Sequence, residues 1–166
     1  MRNYIIGFLS VVFFISCIGG KSVPVQYYTL NLEGEGQASL NVREIRAGAQ
    51  IHQRMNLKKG SHLELREFER WQDSPHRLIE SELKNHFPLG VNELRGELNE
   101  FVFDQESMES RISIDFLFET KDKQRFFRIK SVQAIRALDG DSLAQSMSLA
   151  VQDIFKQLDK NLQTNK

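Results

Sequence analysis

The feature that most constrains the fold is the alternation between apolar and polar residues at positions 111–120, which is the cleanest in the chain. Successive side chains of a β-strand point to opposite faces of a sheet, so this pattern predicts a strand with one face in a core. A polar turn at positions 120–124 leads into a second strand at 125–135, and the two segments predict an antiparallel hairpin. The core-facing residues of the first strand are Ile112, Ile114, Phe116 and Phe118.

Two further segments have the periodicity of amphipathic helices. Ser74 and Pro75 predict a helix start, because serine is a preferred N-cap and proline is favoured at the first helical position. A longer helix follows the hairpin, with Asp139 or Asp141 as its cap. Each helix has one apolar stripe that a core can bury: Leu78, Ile79, Leu83 and Phe87 in the first, and Leu143, Met147, Ala150, Val151, Ile154, Phe155, Leu158 and Leu162 in the second.

The other β-prone segments are short and lie at positions 27–30, 39–45, 50–55, 62–71 and 98–103. Within 62–71, Leu63 and Leu65 share a face of an ideal strand but Phe68 falls on the other, which predicts a bulge or an early strand end. The outline, written β-β-β-α-β-β-β-α, predicts an α+β fold. We expect a two-layer sandwich, in which a mainly antiparallel sheet carries two helices on one face.

The start of the chain has the pattern of a secretory signal. Arg2 precedes an apolar run at positions 5–15, and this run is too short to span a bilayer as a helix. It ends at Phe14-Ile15-Ser16-Cys17, which resembles a lipobox, the site where signal peptidase II leaves a lipidated cysteine as the first residue. Cys17 is the only cysteine of the chain, so no intrachain disulfide is possible. The alternative is a free cysteine inside an ordinary signal peptide.

The chain is therefore divided into a lipoprotein signal peptide at 1–16, a lipid-anchored tether at 17–26 and a single periplasmic domain at 27–166. A diacylated Cys17 anchors a protein firmly, because two acyl chains hold it stably on a membrane. The residue after Cys17 is Ile18. The Asp that retains some lipoproteins in the inner membrane is absent from this position, which favours the outer membrane, with the domain on its periplasmic side.

Several function classes lack support in the sequence. Lys plus Arg equals Asp plus Glu, at 22 each, so no basic excess exists to bind nucleic acid. The four histidines show no metal-ligand spacing, and no cysteine pair exists to hold zinc. There is no Gly-x-Ser-x-Gly elbow and no phosphate-binding glycine loop. We expect no metal, no cofactor and no enzymatic activity.

Several landmarks occur in the order of one known family. After the lipobox come Tyr27-Tyr28-Thr29-Leu30, then Trp71-Gln72-Asp73-Ser74-Pro75 at the start of a helix, then a hairpin and a long C-terminal helix. In this the chain resembles the ABC-type transport auxiliary lipoproteins, a group that includes the PqiC-like periplasmic lipoproteins. The region between Tyr28 and Trp71 is shorter than is usual in that family.

The resemblance implies a lipid-anchored accessory subunit of an MCE-type ABC transport system, which moves lipids or other hydrophobic molecules between membranes. It implies docking on an MCE-domain protein, and through it on a permease and an ATPase, and it allows several copies to assemble into a ring. Tyr27, Tyr28, Trp71 and Pro75 are the docking candidates. For Trp71 the alternative is that it fills the edge of the core, and for the two tyrosines it is an ordinary edge strand.

Two other functions stay open at the level of the sequence. One is an envelope lipoprotein that itself binds a small apolar ligand, with a groove lined by Phe101, Phe103, Phe116 and Phe118. A plain sheet–helix core also explains these four residues. The other is an adhesin-like lipoprotein exposed at the cell surface.

Overall fold

The computed structural model describes residues 23–163 and confirms the α+β fold. Four strands precede the first helix, one more than the outline has, because the short segment around Tyr27 also joins the sheet. The elements in chain order are β1 (Gln26–Tyr28), β2 (Leu40–Ala47), β3 (Arg54–Lys59), β4 (His62–Trp71), α1 (Pro75–His86), β5 (Leu89–Asp104), β6 (Glu109–Glu119), β7 (Gln124–Ala134) and α2 (Gly140–Gln163).

All seven strands form one sheet. Its order is β1-β4-β3-β5-β6-β7, and β2 pairs with the first part of β5. The two longest ladders, β5–β6 and β6–β7, are antiparallel, as is β3–β4, whereas β1–β4, β2–β5 and β3–β5 are parallel. Since β6 occupies one edge of β5, strands β2 and β3 share the other edge. The 16-residue β5 therefore connects the two halves of the sheet.

The core lies between the sheet and the two helices. The alternation in β6 is confirmed, because Ile112, Ile114, Phe116 and Phe118 are all buried. Each predicted core residue of the two helices is buried as well. The helices meet where the rings of Phe87 and Phe155 lie 6.0 Å apart. One continuous apolar cluster thus joins both helices to the same face of the sheet.

Two predicted strands have different bounds. The strand expected at 50–55 lies at Arg54–Lys59, and the strand expected at 98–103 begins nine residues earlier, at Leu89. The early part of β5 is held by pairing with β2 on one side and β6 on the other. Its outward-facing residues include Leu89 and Val91, which are exposed. Apolar side chains on both faces conceal the strand period there.

The predicted bulge in β4 is confirmed by its register with β3. Arg54 lies opposite Arg70, whereas Asn56, two residues further on, lies opposite Leu65. The extra residues of β4 lie between these two pairs and include Phe68. Since Arg54 and Asn56 point to the same face of β3, Leu65 and Arg70 share that face too.

Both helix starts follow the sequence signals. Ser74 has the extended backbone of an N-cap and Pro75 occupies the first turn, while the Asp73 carboxylate accepts hydrogen bonds from Ser74. At α2 the cap is Asp139, whose Oδ1 accepts the Ser142 backbone N–H at 2.9 Å. Asp141, the other candidate, lies within the first turn of α2.

Candidate functional site

The lipidation candidate Cys17 lies outside the described residues, as does the rest of the predicted signal peptide. Within residues 23–163, neither helix is both long enough and apolar enough to cross a bilayer. The described chain begins at Val23 and runs beside β4, so the end of the tether meets the domain at the β1 edge of the sheet.

The structure brings three of the four docking candidates to one junction, where β1, the end of β4 and the starts of both helices meet. Tyr28 lies opposite Trp71 in the parallel β1–β4 register. The Gln72 backbone N–H donates to the Tyr28 carbonyl at 2.7 Å, and the Trp71 N–H donates to the Gln53 carbonyl at 2.8 Å. The Gln53 side-chain amide donates in turn to the carbonyls of Trp71 and Gln72. This network closes the corner without exposing the indole.

Trp71 and Pro75 are core residues, which corrects their assignment to a docking surface. Only 1% of Trp71 is exposed. Its indole packs edge-on against Phe101, with ring centroids 5.3 Å apart, and is stacked near Phe103 at 6.3 Å. Pro75 is buried at the first turn of α1. Neither side chain is available to a partner while the domain is folded, because Trp71 fills the edge of the core instead.

Tyr28 ties β1 to α2. Its ring lies against Gly140, the first residue of the helix, so closely that a Cβ there would overlap it. The hydroxyl donates a hydrogen bond to the Gln26 side-chain oxygen at 2.6 Å. Burial raises the pKa of Tyr28, and the nearby carboxylates of Asp141 and Glu69 raise it further. This tyrosine therefore stays neutral and acts as a structural contact.

Tyr27 is the one docking candidate with a mostly exposed side chain, at 61%. Because side chains alternate along a strand, it points away from the face that Tyr28 packs into. Strand β1 is an ordinary edge strand of this domain, paired with β4 and with no second partner among the described residues.

The four phenylalanines of the apolar-ligand hypothesis are buried in the sheet–helix core. The recess between α2 and positions 29–33 has a volume of about 460 Å³, but most of its lining side chains are polar. No group of three or more His, Cys, Asp or Glu within residues 23–163 is placed to hold a metal ion. Because all four phenylalanines are buried, they form part of the core and do not line an open groove.

Sequence reasoning missed a surface on the outer face of the sheet, far from β1. Phe126 of β7 is 78% exposed and lies opposite Leu117 of β6. Beside them is a recess of about 310 Å³, bordered by Arg46, Arg95 and Glu97. We call the pair Leu117 and Phe126 the distal patch. Its signal in the sequence is the Phe126-Phe127 pair, since adjacent strand residues point to opposite faces and one ring must face solvent.

Ion pairs surround the distal patch. Arg128 makes two hydrogen bonds to the Asp115 carboxylate, and the guanidinium holds the pKa of that carboxyl below its usual range. Arg95 lies 3.1 Å from a Glu93 oxygen and 3.7 Å from a Glu119 oxygen. Exposed pairs of this kind add little stability. An apolar centre with a charged rim has instead the composition of a protein-binding surface.

The fold recurs in known structures. No known family model matches the sequence, and no curated protein matches it either. A crystal structure of an uncharacterized protein superimposes with a TM-score of 0.70 at 11% identity, covering 84% of this chain and 99% of the other. Protein XCC0632 from Xanthomonas campestris, described by the family model DUF330, superimposes with a TM-score of 0.65 at 12% identity, covering 85% and 100%. At this identity, the likeness shows that the domain has the fold of these two proteins.

Proposed function

We propose that this protein is a lipid-anchored accessory subunit of an MCE-type ABC transport system, which moves lipids or other hydrophobic molecules between membranes. It has no catalytic task and acts by docking on the MCE-domain protein. Acylated Cys17 holds it on the periplasmic side of a membrane, with the outer membrane favoured.

The observation that carries the proposal is the convergence of the family-like motifs. The Tyr-Tyr-x-Leu segment and the Trp-x-x-x-Pro segment are more than 40 residues apart in the chain. In the fold, Tyr28 lies opposite Trp71, and Leu30, Trp71 and Pro75 are all buried. Motifs with a shared structural task are expected to occur together, so their joint presence supports the resemblance more than either motif alone.

The distal patch is the surface that suits a protein partner. The sheet order places β1, where the tether arrives, and β7 at opposite ends. Five strand spacings separate them, which is roughly 24 Å. Phe126 therefore lies at the opposite end of the sheet from the strand that the tether enters. A large aromatic side chain with a charged rim is typical of a binding hot spot.

The test is capture of the MCE-domain protein by the lipidated, detergent-purified protein. The gene neighbourhood supplies the partner, because an ATPase, a permease and an MCE reading frame are expected beside this gene. Phe126→Asp removes the exposed ring without disturbing the core and should abolish capture. Leu149→Asp is the matched control, since Leu149 is also an exposed apolar residue but lies on α2, in the other layer.

Loss of capture in Phe126→Asp alone supports both the function and the surface. Equal capture by both variants would assign the docking to another surface. No capture by the folded wild-type protein contradicts the function itself. Fatty-acid labelling of cells that carry the wild type or Cys17→Ala tests the anchor independently, since only the wild type should incorporate label.

A further inference from the structure

The outer edge of β7 is the longest unpaired edge among the strands that the structure describes. Strands β1, β2 and β7 each pair with one neighbour only. Strand β1 has three residues, and at the edge of β2 the Ile45 backbone N–H already donates to the Glu80 carboxylate. Strand β7 has 11 residues, contains no proline and pairs with β6 in an unbroken register. Proline and bulges protect sheet edges from pairing, so their absence leaves the edge of β7 open.

Every second residue of β7 turns its backbone N–H and C=O toward this open edge. In an antiparallel ladder, hydrogen-bonded and non-hydrogen-bonded pairs alternate. The Ile135 N–H donates to the Met108 carbonyl at 2.8 Å, so the odd-numbered residues of β7 bond to β6 and the even-numbered ones face outward. The Lys130 carbonyl agrees with this phase, since it accepts the Gln157 side-chain amide at 3.2 Å. The outward backbone groups of β7 are those of Phe126, Arg128, Lys130 and Val132.

The side chains of the same residues form an exposed row. All even-numbered residues of β7 are exposed, whereas Ile129 and Ser131 between them are buried on the side of the helices. Phe126 is 78% exposed and Val132 is 51% exposed. Strand residues two apart share a face, so this row lies on the outer face of the sheet, beside the outward backbone groups. An extended chain at this edge would therefore make both backbone and side-chain contacts.

Positive charge is concentrated around β7. Positions 121–136 contain six basic residues and one acidic residue, although the whole chain has equal numbers of each. Strand β7 itself contains Arg125, Arg128 and Lys130 and no acidic residue. Like charges on opposite strands destabilise a pair and opposite charges stabilise it. A second copy of β7 offers no opposite charge, whereas a strand with acidic side chains does.

We propose that β7 accepts an extended, acidic segment of the protein partner as an additional strand of the sheet. This inference rests on the docking of an MCE-domain protein in the proposed function, and it gives the mode of that docking. Backbone hydrogen bonds at an open sheet edge supply affinity for an extended chain, while alternate side chains supply specificity. Acidic side chains of the added strand lie beside Arg128 and Lys130, and apolar ones lie beside Phe126 and Val132. A backbone N–H of the partner replaces the Gln157 amide at the Lys130 carbonyl.

The first test is hydrogen–deuterium exchange at residue resolution, on the lipidated protein alone and with the captured MCE-domain protein. In the protein alone, the outward amides of β7 should exchange fast and the odd-numbered amides, which bond to β6, should exchange slowly. In the complex, exchange of the outward amides should slow at least about tenfold, because each donates to the added strand. Contact through side chains alone gives these amides no hydrogen-bond acceptor.

The second test removes one outward donor. Val132→Pro lacks this N–H but keeps the β6–β7 ladder, because proline is tolerated on an edge strand where the N–H faces solvent. Val132→Ala is the matched control, since it shortens the side chain and keeps the N–H. Affinity for the MCE-domain protein should fall about tenfold in Val132→Pro and less than about threefold in Val132→Ala. Lys130→Glu should weaken capture more than Lys59→Glu, the same charge change at the exposed turn after β3.

Each contrary result has a distinct meaning. Capture without slowed exchange of the outward amides overturns strand addition and leaves the proposed function standing. Equal affinity of folded Val132→Pro and Val132→Ala overturns it as well, and equal affinity of Lys130→Glu and Lys59→Glu overturns the acidic character of the segment. Slow exchange of the outward amides in the protein alone, with a dimer in sedimentation, assigns the edge to a second copy. No capture by the folded wild type overturns both proposals.

Discussion

The ring of Tyr28 closes over Gly140, so that the edge strand β1 touches the first residue of the C-terminal helix. More than 100 residues separate the two positions in the chain. The contact joins the sheet to the helix layer at the end where the tether enters. It leaves no room for a Cβ on Gly140 unless the hydroxyl end of the tyrosine moves.

A second close approach allows a matched prediction on glycines. A Cβ on Gly90 would lie 2.5 Å from the backbone carbonyl of Ser39, which cannot move without disturbing the start of the β2–β5 ladder. Gly90→Ala should therefore lower the free energy of unfolding by roughly 1–3 kcal/mol. In Gly140→Ala the close atoms belong to the hydroxyl end of the Tyr28 side chain, which can move, so the loss should be smaller. Urea unfolding followed by circular dichroism measures both, and equal stability of the two variants would contradict the argument.

The cap of α2 predicts a pH dependence. The hydrogen bond from the Ser142 backbone N–H, and a second from its hydroxyl, lower the pKa of Asp139 below its usual value. A carboxyl whose pKa is lower in the folded state stabilises the fold above its unfolded pKa and loses this effect as pH falls through the folded pKa. Asp139→Ala should thus unfold at a lower temperature at pH 7, and the difference from wild type should shrink below about pH 4.

Two variants serve as controls for the cap. Asp139→Asn keeps a capping oxygen and should retain most of the stability at pH 7. Asp141→Ala removes a neighbouring carboxylate that does not cap the helix. A deficit of Asp139→Ala that stays constant from pH 7 to pH 3 would rule out the linkage.

The attachment of α1 to the edge of β2 depends on one carboxylate. The Ile45 backbone N–H donates to Glu80 Oε2 at 3.1 Å, and Lys84 donates to the other oxygen. Glu80→Ala leaves the Ile45 donor without its partner, at a cost of roughly 1–3 kcal/mol in unfolding free energy. Glu80→Gln keeps an acceptor and should lose less. Chemical unfolding curves of the two variants measure which one loses more unfolding free energy. Identical losses would contradict the role of the Glu80 carboxylate as the acceptor for Ile45.

Because Trp71 is a core residue, we predict that its substitution lowers the stability of the domain and leaves the binding of a partner unchanged. Trp71→Ala opens a large cavity beside Phe101 and Phe103 and should cost roughly 3–5 kcal/mol. Tyr27→Ala, at an exposed position of the same corner, should change stability by no more than about 0.5 kcal/mol. Thermal unfolding measures this contrast.

Capture of the MCE-domain protein by Trp71→Ala completes that comparison. Trp71→Ala, assayed below its unfolding temperature, should bind as the wild type does, because the indole does not reach the surface. Loss of capture by the folded Trp71→Ala variant would return Trp71 to the docking surface.

Much of the fold is encoded in local patterns. The alternation at Ile112, Ile114, Phe116 and Phe118 specifies a strand and its buried face, since pointing these side chains outward would expose four large apolar groups to water. The stripe from Leu143 to Leu162 specifies a helix and the face that it buries. Ser74 with Pro75, and Asp139 before α2, mark helix starts because capping depends only on neighbouring atoms. The break in phase at Phe68 predicted a bulge or an early strand end, and the structure has the bulge.

The neighbours of each strand were decided by the tertiary structure. Strands pair through backbone donors and acceptors, which are alike along the chain. No local sequence pattern therefore indicates that β1 runs parallel to β4, or that β2 and β3 share one edge of β5. The direction in which Trp71 points depends on that pairing, and the placement of Leu117 beside Phe126 likewise depends on the pairing of β6 with β7. Hydrophobic periodicity indicates which face of a helix or strand is buried. The packing of elements that are distant in the chain determines which exposed side chains lie together. A binding surface consists of such side chains, so only the tertiary structure could show it.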